Sequence, residues 1–312
     1  MIKLEHVVLA SPEQMEFIIE GMRNPMNSWE KSDSNCCAVD GFGQCRGCDH
    51  PDRCMYYSDF YLGENDHALM QRLANAGTDH RKFMRMMPVY VRITAPLYWW
   101  KEFDTYKVGS VANSCSTMHK IQEKEFTLED FSTDQLSVIT GEDIQLLEDM
   151  KDCDTTYYKH RVEIRDTLSE LNFMRRLYLA ADKKLKRDDL SEAERKHVTA
   201  QRKKFWWQMI QLLPSSYNQT RNVMINYEVL ANIYKSRKNH KLDEWRDLCK
   251  WIEELPYSEL IIGGESLKMY EVGKAAMDGI RRGIENLDEA NELLDSKVLY
   301  QQAIQATSKK ED

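Results

Sequence analysis

Five of the eight cysteines crowd into one short segment, from residue 36 to residue 54. Cys45 and Cys48 form a Cys-x-x-Cys pair, whose two thiolates can bind one metal ion, and nearby glycines and a proline let the chain turn the other sulfurs toward it. Structural zinc, an iron–sulfur cluster and an unliganded insertion stay open, because one such pair is only moderately specific. The predicted ligands are Cys36, Cys37, Cys45, Cys48 and Cys54.

A second group of polar residues lies in the stretch NVMINYEVLANIYKSR, whose apolar residues recur with a helical period. Asparagine is unfavourable inside a helix, so the presence of Asn226 and Asn232 indicates that their side chains have a specific role. Both could hydrogen-bond to a ligand, or Asn226 could cap the helix. The interval from Asn226 to Arg237 is about three turns, which places both near one line with Ile233. Arg237 by itself is equally typical of a solvated or salt-bridged surface arginine.

The stretch from Leu69 to Ser116 resembles part of the flavin-dependent thymidylate synthases. It runs LMQRLANAG, a short link, a strand, Ala95-Pro96, an aromatic helix and KVGSVANSCS. In that family a signature Arg-His-Arg precedes a serine, an Asn-Glu pair, a second serine and an arginine, and Thr105-Tyr106-Lys107 stands at the Arg-His-Arg position. With one inserted residue, the later matches are Ser110, Asn113 and Ser116, whereas Ser114 and Met118 replace the glutamate and the final arginine.

The stretch from Leu212 to Glu244 carries the stronger half of this resemblance. The family pattern is matched in order by Leu213-Pro214, Asn226, Leu230, Asn232 and Arg237 and, after a one-residue deletion, by His240 and Glu244. Two positions depart from it: Glu228 replaces a flavin-contacting arginine, and Ile210 replaces an arginine that grips the nucleotide phosphate. Losing anion-binding residues matters for a doubly charged substrate.

The resemblance covers roughly residues 65 to 260 and implies an α+β fold, a mixed sheet with packed helices, with the Cys-rich insertion and a C-terminal helical tail as additions. It implies a homotetramer that binds FAD and a pyrimidine deoxynucleotide at subunit interfaces. By this analogy the cofactor-binding residues are Asn226, Asn232, His240, Lys107 and Arg85, with His80 as a further weak candidate. The substrate-binding residues are Arg237, Ser116 and Ser110.

Two hypotheses about function follow from the resemblance. The first is reductive methylation of dUMP or a related pyrimidine nucleotide, with FAD as cofactor and methylenetetrahydrofolate as carbon donor; a related flavoenzyme with a different pyrimidine substrate is a variant of it. No protein nucleophile is evident, and the cofactor carries the difficult chemistry. The second is a non-catalytic protein that keeps this fold, binds a nucleotide or nothing, and uses a metal-stapled insertion and its tail to engage a partner.

Local signals predict the elements that position these residues. We expect a strand over residues 3–9, and then a helix that starts at Ser11-Pro12-Glu13 and runs to about Met22. A helix capped by Asn65-Asp66 and ended by Gly77 follows the insertion, and a strand over 88–93 ends at Ala95-Pro96 before a further helix. Charge-rich residues 182–204 indicate a solvated helical hairpin or a phosphate-facing patch. The expected divisions are 1–23, the insertion 24–60, the core 61–263 and the tail 264–312.

The composition excludes some classes of protein. The chain has 312 residues, of which 42% are hydrophobic, enough to build a core. The formal net charge of −8 argues against binding to duplex nucleic acid. No apolar run approaches the ~20 residues that span a bilayer, and the N-terminus does not resemble a signal peptide. With its uneven cysteine spacing, this predicts a soluble protein of the reducing cytoplasm.

Overall fold

A computed structural model describes residues 2–36, 60–136 and 164–263 of the chain. The predicted ligands Cys37, Cys45, Cys48 and Cys54 and the predicted tail lie outside these ranges. The strands are β1 (Lys3–Leu9), β2 (Asn35–Cys36), β3 (Phe60–Tyr61), β4 (Pro88–Pro96), β5 (Val111–Ser114) and β6 (Asn218–Asn226). The helices are α1 (Pro12–Arg23), α2 (Glu64–Asn75), α3 (Leu97–Phe103), α4 (Thr117–Lys120), α5 (Arg165–Leu185), α6 (Glu192–Leu212), α7 (Tyr227–Arg237), α8 (Asp243–Glu253) and α9 (Glu259–Ile262).

Four strands form one sheet in the order β1-β4-β6-β5. The predicted α+β class is confirmed, and every strand pairing within the described residues is antiparallel. β1 pairs with β4, so the strand before the Cys-rich insertion belongs to the same sheet as the strands after it. A separate pairing of β2 with β3 sets Cys36 opposite Phe60 and so joins residues within the insertion to its C-terminal end.

Alternating residues of the central strands bury one face of the sheet under helices. Val91 and Ile93 of β4 and Val223 and Ile225 of β6 are each at most 3% exposed. The helices contribute aromatic residues to this main core, and Trp99 packs its ring 4.8 Å from that of Trp245. Burial of such large rings supplies much of the apolar area that stabilises the fold.

Helix starts follow local capping rules at α1 but not at α2. Ser11 and Gln14 form a reciprocal capping box at the start of α1, as the sequence Ser-Pro-Glu indicates for a helix start. The prediction that Asn65-Asp66 caps α2 is wrong, because the helix already begins at Glu64. The carboxylate of Asp33, from a distant loop, accepts hydrogen bonds from the amides of Asn65 (2.8 Å) and Asp66 (3.0 Å) instead.

Two further boundaries differ from the prediction. β4 continues through Ala95-Pro96, because both residues pair with β6 rather than breaking the strand. The stretch predicted as one helix divides at Asn226, where β6 ends and α7 begins. Asn226 precedes the helix as its cap, and Ile233, which is fully buried, and Arg237, which is partly buried, lie one turn apart on the helix. Residues 218–226 form a strand because the alternating burial of Val223 and Ile225 determines the structure there more strongly than the helical period of the apolar residues does.

Helices α5 and α6 form the predicted hairpin and enclose a second, smaller core. At its centre Leu171 and Met209 are each 0% exposed, and Ile210 packs against them. The turn end of the hairpin is solvated, and there Asp182 pairs with Arg202 at 2.6 Å. Of the helices in the described ranges, none has the length and apolar character required to cross a membrane.

Candidate functional site

Arg237, at the C-terminal end of α7, is surrounded by four side chains. Its Nη1 donates to Glu102 Oε2 (2.7 Å) and its Nε donates to Tyr106 Oη (3.0 Å). The guanidinium carbon lies 4.6 Å from the centre of the Trp245 ring, and His240 Nε2 lies 2.9 Å from Nη1. The side chains of Arg237 and Glu102 are 19% and 35% exposed, so solvent reaches part of this arginine cluster.

Three helices hold the arginine cluster in place. Glu102 comes from α3, Arg237 from α7 and Trp245 from α8, while Tyr106 follows α3 directly. Trp245 Nε1 donates to the same Glu102 oxygen at 2.9 Å, which fixes the carboxylate between two donors. A charge-balanced carboxylate and guanidinium beside aromatic rings can bind the edge and face of a planar heterocycle. The structure thus brings together Arg237 and His240 of the sequence-predicted set.

Asn226 links the start of α7 to the loop after α3. Its Oδ1 accepts from the Val229 amide (3.0 Å), which makes it the cap of α7, and its Nδ2 donates to the Gly109 carbonyl (3.2 Å). Gly109 has a φ of +83°, and an added Cβ would lie 2.8 Å from Asn226 Nδ2. The side-chain amide therefore holds the loop of residues 105–110 against α7. In this loop Thr105-Tyr106-Lys107 stands at the position of the Arg-His-Arg signature.

Asn232 belongs to a different contact on α7. Its Oδ1 accepts from Arg81 Nη2 at 3.3 Å, and Arg81 Nε lies 2.7 Å from Glu228 Oε2. Glu228, at a position where the family that this stretch resembles has an arginine, is only 6% exposed. Its carboxylate balances the charge of Arg81 because the two side chains are in contact. A buried carboxylate needs such a partner. Arg81, in the turn before β4, thus supplies the positive charge on this side of α7.

The remaining predicted residues do not hydrogen-bond with Arg237. The side chains of Lys107 and Arg85 are exposed and make no hydrogen bond or ion pair with any described residue. Ser110 donates its hydroxyl to the Tyr106 carbonyl. Ser116 caps the short α4 by accepting from the His119 amide at 3.1 Å. His80 is exposed on the turn that precedes Arg81.

The described residues contain no group of three or more histidines, cysteines or acidic residues placed to hold a metal ion. Four of the five predicted ligands fall outside the described ranges, and of Cys36 only the backbone is described. Cys249 is buried in α8, and burial raises the pKa of its thiol to about 11. A thiol with this pKa is protonated at neutral pH and is not a nucleophile.

Sequence reasoning did not find Glu102, Trp245 or Arg81. No local pattern marks Glu102, because it is paired with residues more than a hundred positions further along the chain. A cavity of about 290 Å³ was also missed; it lies away from the arginine cluster, lined by apolar residues and by Tyr227 and Tyr257. Its walls come from five separate stretches of the chain, which a sequence does not show to be adjacent.

Comparison with known proteins bears on the fold. No protein-family model matches the chain, and neither does any curated protein. A solved structure of the flavin-dependent thymidylate synthase ThyX from Helicobacter pylori, complexed with FAD and dUMP, is similar to 84% of this chain and 97% of its own, at 16% identity and a TM-score of 0.45. A second ThyX structure from that organism, also with FAD and dUMP, is similar over 86% and 99%, at 16% identity and a TM-score of 0.44.

Proposed function

We propose that the chain is a flavin-dependent enzyme that modifies the base of a pyrimidine nucleotide. The observation that carries this proposal is the arginine cluster, in which Arg237 and Glu102 present a hydrogen-bonding edge beside the rings of Tyr106 and Trp245. A uracil ring has donors and acceptors along one edge and an apolar face, which suits such a site. Its substrate would be dUMP or a related pyrimidine nucleotide.

The donor set around α7 fits FAD in part. Lys107 and Arg85 are exposed cations that could address its pyrophosphate, and Asn232 and His240 could hydrogen-bond its ring. When bound, the flavin would supply hydride and methylenetetrahydrofolate would supply the carbon unit. The residues of this chain would bind and orient these groups, and Asn226 would keep the loop of residues 105–110 against α7.

The phosphate of the substrate needs a different partner from the one that the resembling family uses. Ile210 packs in the second core, so that position offers no positive charge. Ser116 and Ser110 are the candidates left from the sequence, and a neutral hydroxyl binds phosphate less strongly than an arginine does. We therefore expect weaker dependence on the phosphate than an arginine-lined site would give.

Assembly and metal binding complete the proposal. We propose a homo-oligomer, a tetramer by resemblance, since the arginine cluster is partly exposed and a second chain could cover it. The five cysteines from Cys36 to Cys54 would bind zinc as a local staple, with the strands β2 and β3 joined at its base. We propose that the protein is cytoplasmic, because reducing conditions there keep such cysteines from forming disulfides.

One observation favours the non-catalytic alternative. Glu102 neutralises Arg237 and Glu228 neutralises Arg81, so two of the cations near α7 are already paired within the chain. A protein that keeps the fold but has lost its anionic cofactor would show such pairs. The insertion and the tail would then serve an interaction with another protein.

The test is the visible spectrum of the purified full chain with and without added FAD, with the metal content measured on the same sample. We expect flavin bands at about 370 and 450 nm, bound zinc, and tighter binding of dUMP to the flavin-loaded protein. Arg237→Ala and Arg237→Lys should each weaken dUMP binding at least ~10-fold, by loss of the planar fork. Lys235→Ala, on the exposed side of the same helix, is the matched control.

Each outcome decides between the hypotheses. A protein that stays colourless with added FAD contradicts the flavoenzyme and leaves the non-catalytic alternative. Flavin binding with unchanged dUMP affinity in both Arg237 variants removes the arginine cluster from the substrate site. Thermal unfolding of each variant separates loss of binding from loss of folding.

A further inference from the structure

A cavity of about 290 Å³ lies where the end of β1, the start of β4 and the segment between α8 and α9 come together. Its most buried lining residues are Met15, Met87 and Tyr227, which are 6%, 2% and 3% exposed. Other lining residues, among them Ala10 and Phe60, are only half-buried, so within the described part of the chain the cavity is open to solvent. The volume lies near the lower end of the range for pockets that bind small molecules, about 300–1,000 Å³.

The chemistry of the lining favours a neutral ligand. Among the described residues that line the cavity there is no acid and no base. The hydroxyl of Tyr227 donates to the carbonyl of Pro256, and burial raises the pKa of Tyr227, so this phenol stays neutral at physiological pH. A charged group placed here would lose its hydration without gaining an opposite charge. The phosphates of FAD and of a nucleotide are therefore poorly suited to this cavity.

The lining also favours a flat aromatic ligand over an aliphatic one. It includes three aromatic rings, those of Phe60, Tyr227 and Tyr257, and the thioethers of Met15 and Met87. Contacts between aromatic rings are favourable beyond the area that they bury, and thioether sulfur also makes favourable contacts with rings. Methionine side chains are flexible as well, so they can adjust to the outline of a ligand.

The backbone around the cavity is stiff. Pro12, Pro88 and Pro256 line it, and each proline ring fixes its own φ. Tyr257 has a φ of +58°, a left-handed conformation that is unfavourable for a bulky side chain. The Leu260 amide donates to the carbonyl of Tyr257 at 3.0 Å, which helps to hold this conformation. Strained residues of this kind concentrate at ligand sites, where a fixed wall lowers the entropy lost on binding.

We infer that this cavity binds a neutral, planar compound of two fused aromatic rings. An apolar cavity of about 150 Å³ holds one benzene ring, so the 290 Å³ of this cavity suits a pair of fused rings. The inference is independent of the proposed function, because none of the residues that line the cavity belongs to the arginine cluster. Such a compound would bind whether or not flavin binds elsewhere on the chain.

The test is equilibrium dialysis of the full chain against indole, a neutral compound of two fused rings, with indole carboxylate as its charged counterpart. We expect saturable binding of indole and at least ~10-fold weaker binding of the carboxylate, which loses its hydration in the cavity. Ala10→Trp should weaken indole binding at least ~10-fold, because two rings cannot occupy the same volume of a packed interior. Ala200→Trp, the same substitution at an exposed position on α6, is the matched control and should leave binding unchanged.

Tyr257→Gly is a second variant that removes one ring of the lining. Glycine adopts a positive φ without strain, so we expect this variant to fold, and thermal unfolding of every variant checks it. Indole binding should weaken by about 2–10-fold, which corresponds to the loss of one contact between aromatic rings.

Three outcomes of the dialysis overturn the inference: no saturable binding of indole by the natural chain, equal binding of the carboxylate, or unchanged binding in both Ala10→Trp and Tyr257→Gly. Excess FAD should leave indole binding unchanged. Displacement of indole by FAD would also overturn the inference, because the cavity would then belong to the flavin site. A colourless protein that binds indole contradicts only the proposed flavoenzyme.

Discussion

At the residue scale, two glycines share a backbone conformation but differ in what surrounds them. Gly109 has a φ of +83° and Gly77 a φ of +105°. A Cβ on Gly109 would lie 3.0 Å from Val229 Cγ2 and nearer still to the amide of Asn226, whereas one on Gly77 would meet nothing within 4 Å. The pair therefore separates the cost of the left-handed conformation from the cost of a clash.

We predict that Gly77→Ala lowers the free energy of unfolding by about 1–2 kcal/mol, the cost of a left-handed non-glycine residue. Gly109→Ala should lower it further and also loosen the loop of residues 105–110 from α7, because Asn226 must move. Urea denaturation measures the free energies, and amide exchange at residues 105–110 reports on the loop. Equal losses in the two variants would contradict the proposed packing of the loop.

Candidate-site residues were predictable where chemistry is local. The poor helix propensity of asparagine already indicated a special use for Asn226, and the structure gives it the capping role together with a bond to Gly109. The same reasoning does not reach Arg81, because its partners Glu228 and Asn232 lie more than 140 residues away in the chain. Ion pairs of that span are set by the fold.

At the element scale, a buried carboxylate joins α1, α2 and the loop between them. Asp66 on α2 is 0% exposed and accepts from Arg23 Nε (2.5 Å), Ser32 Oγ (2.7 Å) and Ser34 Oγ (2.7 Å). Burial acts to raise the pKa of Asp66, but the hydrogen bonds from Ser34 and Ser32 and the contact with Arg23 outweigh it. The pKa consequently lies below its ordinary value of 3.8.

Because the pKa of Asp66 is lower in the folded state, the ionised carboxylate stabilises the fold at any pH above its pKa in the unfolded chain. This contribution is lost as the pH falls through the pKa of the folded state. We predict that Asp66→Asn costs about 3–5 kcal/mol at pH 7, because Arg23 stays buried without its charge partner. Between about pH 5 and pH 2, where a carboxylate with a lowered pKa becomes protonated, the variant should lose less stability than the natural chain.

Chemical denaturation across this range measures both effects. Asp79→Asn, an exposed carboxylate on the turn after α2, serves as the control and should change stability little. A variant that unfolds with the same acid dependence as the natural chain would show that Asp66 does not contribute to it. Retention of full stability at pH 7 would contradict the buried network.

At the scale of the whole molecule, the described parts of the chain contain two hydrophobic cores that stabilise different regions. The main core lies between the sheet and α1, α2, α3, α7 and α8, and Ile233 is at its centre. The second core lies within the α5–α6 hairpin and the loop before it, around Leu171. Tyr217 packs against the second core and precedes β6, so it connects the two. Such separate clusters allow one part to open before the other.

We predict that Leu171→Ala raises amide hydrogen exchange in α5 and α6 while β4 and α7 keep their protection. The lost packing corresponds to about 2–5 kcal/mol for a buried leucine. Ile233→Ala, at the same burial in the main core, should raise exchange in β4, β6 and α7 together. If Leu171→Ala also exposes β4, the two cores unfold as one unit.

The sequence by itself determined features that depend on neighbouring residues. The Ser11–Gln14 capping box, the strand over residues 3–9 and the helix ended near Gly77 follow from propensities and hydrogen bonds within a few positions. The α+β class was implied by the family resemblance. These inferences hold because the interactions that decide them are formed within single elements.

Only the tertiary structure decided which side chains meet. The start of α2 depends on Asp33. The boundary between β6 and α7 at Asn226 depends on the pairing of β6 with β4. The ion pair of Arg237 with Glu102 joins residues 135 positions apart. Burial selects between local alternatives of similar free energy, and burial is a property of the packed molecule.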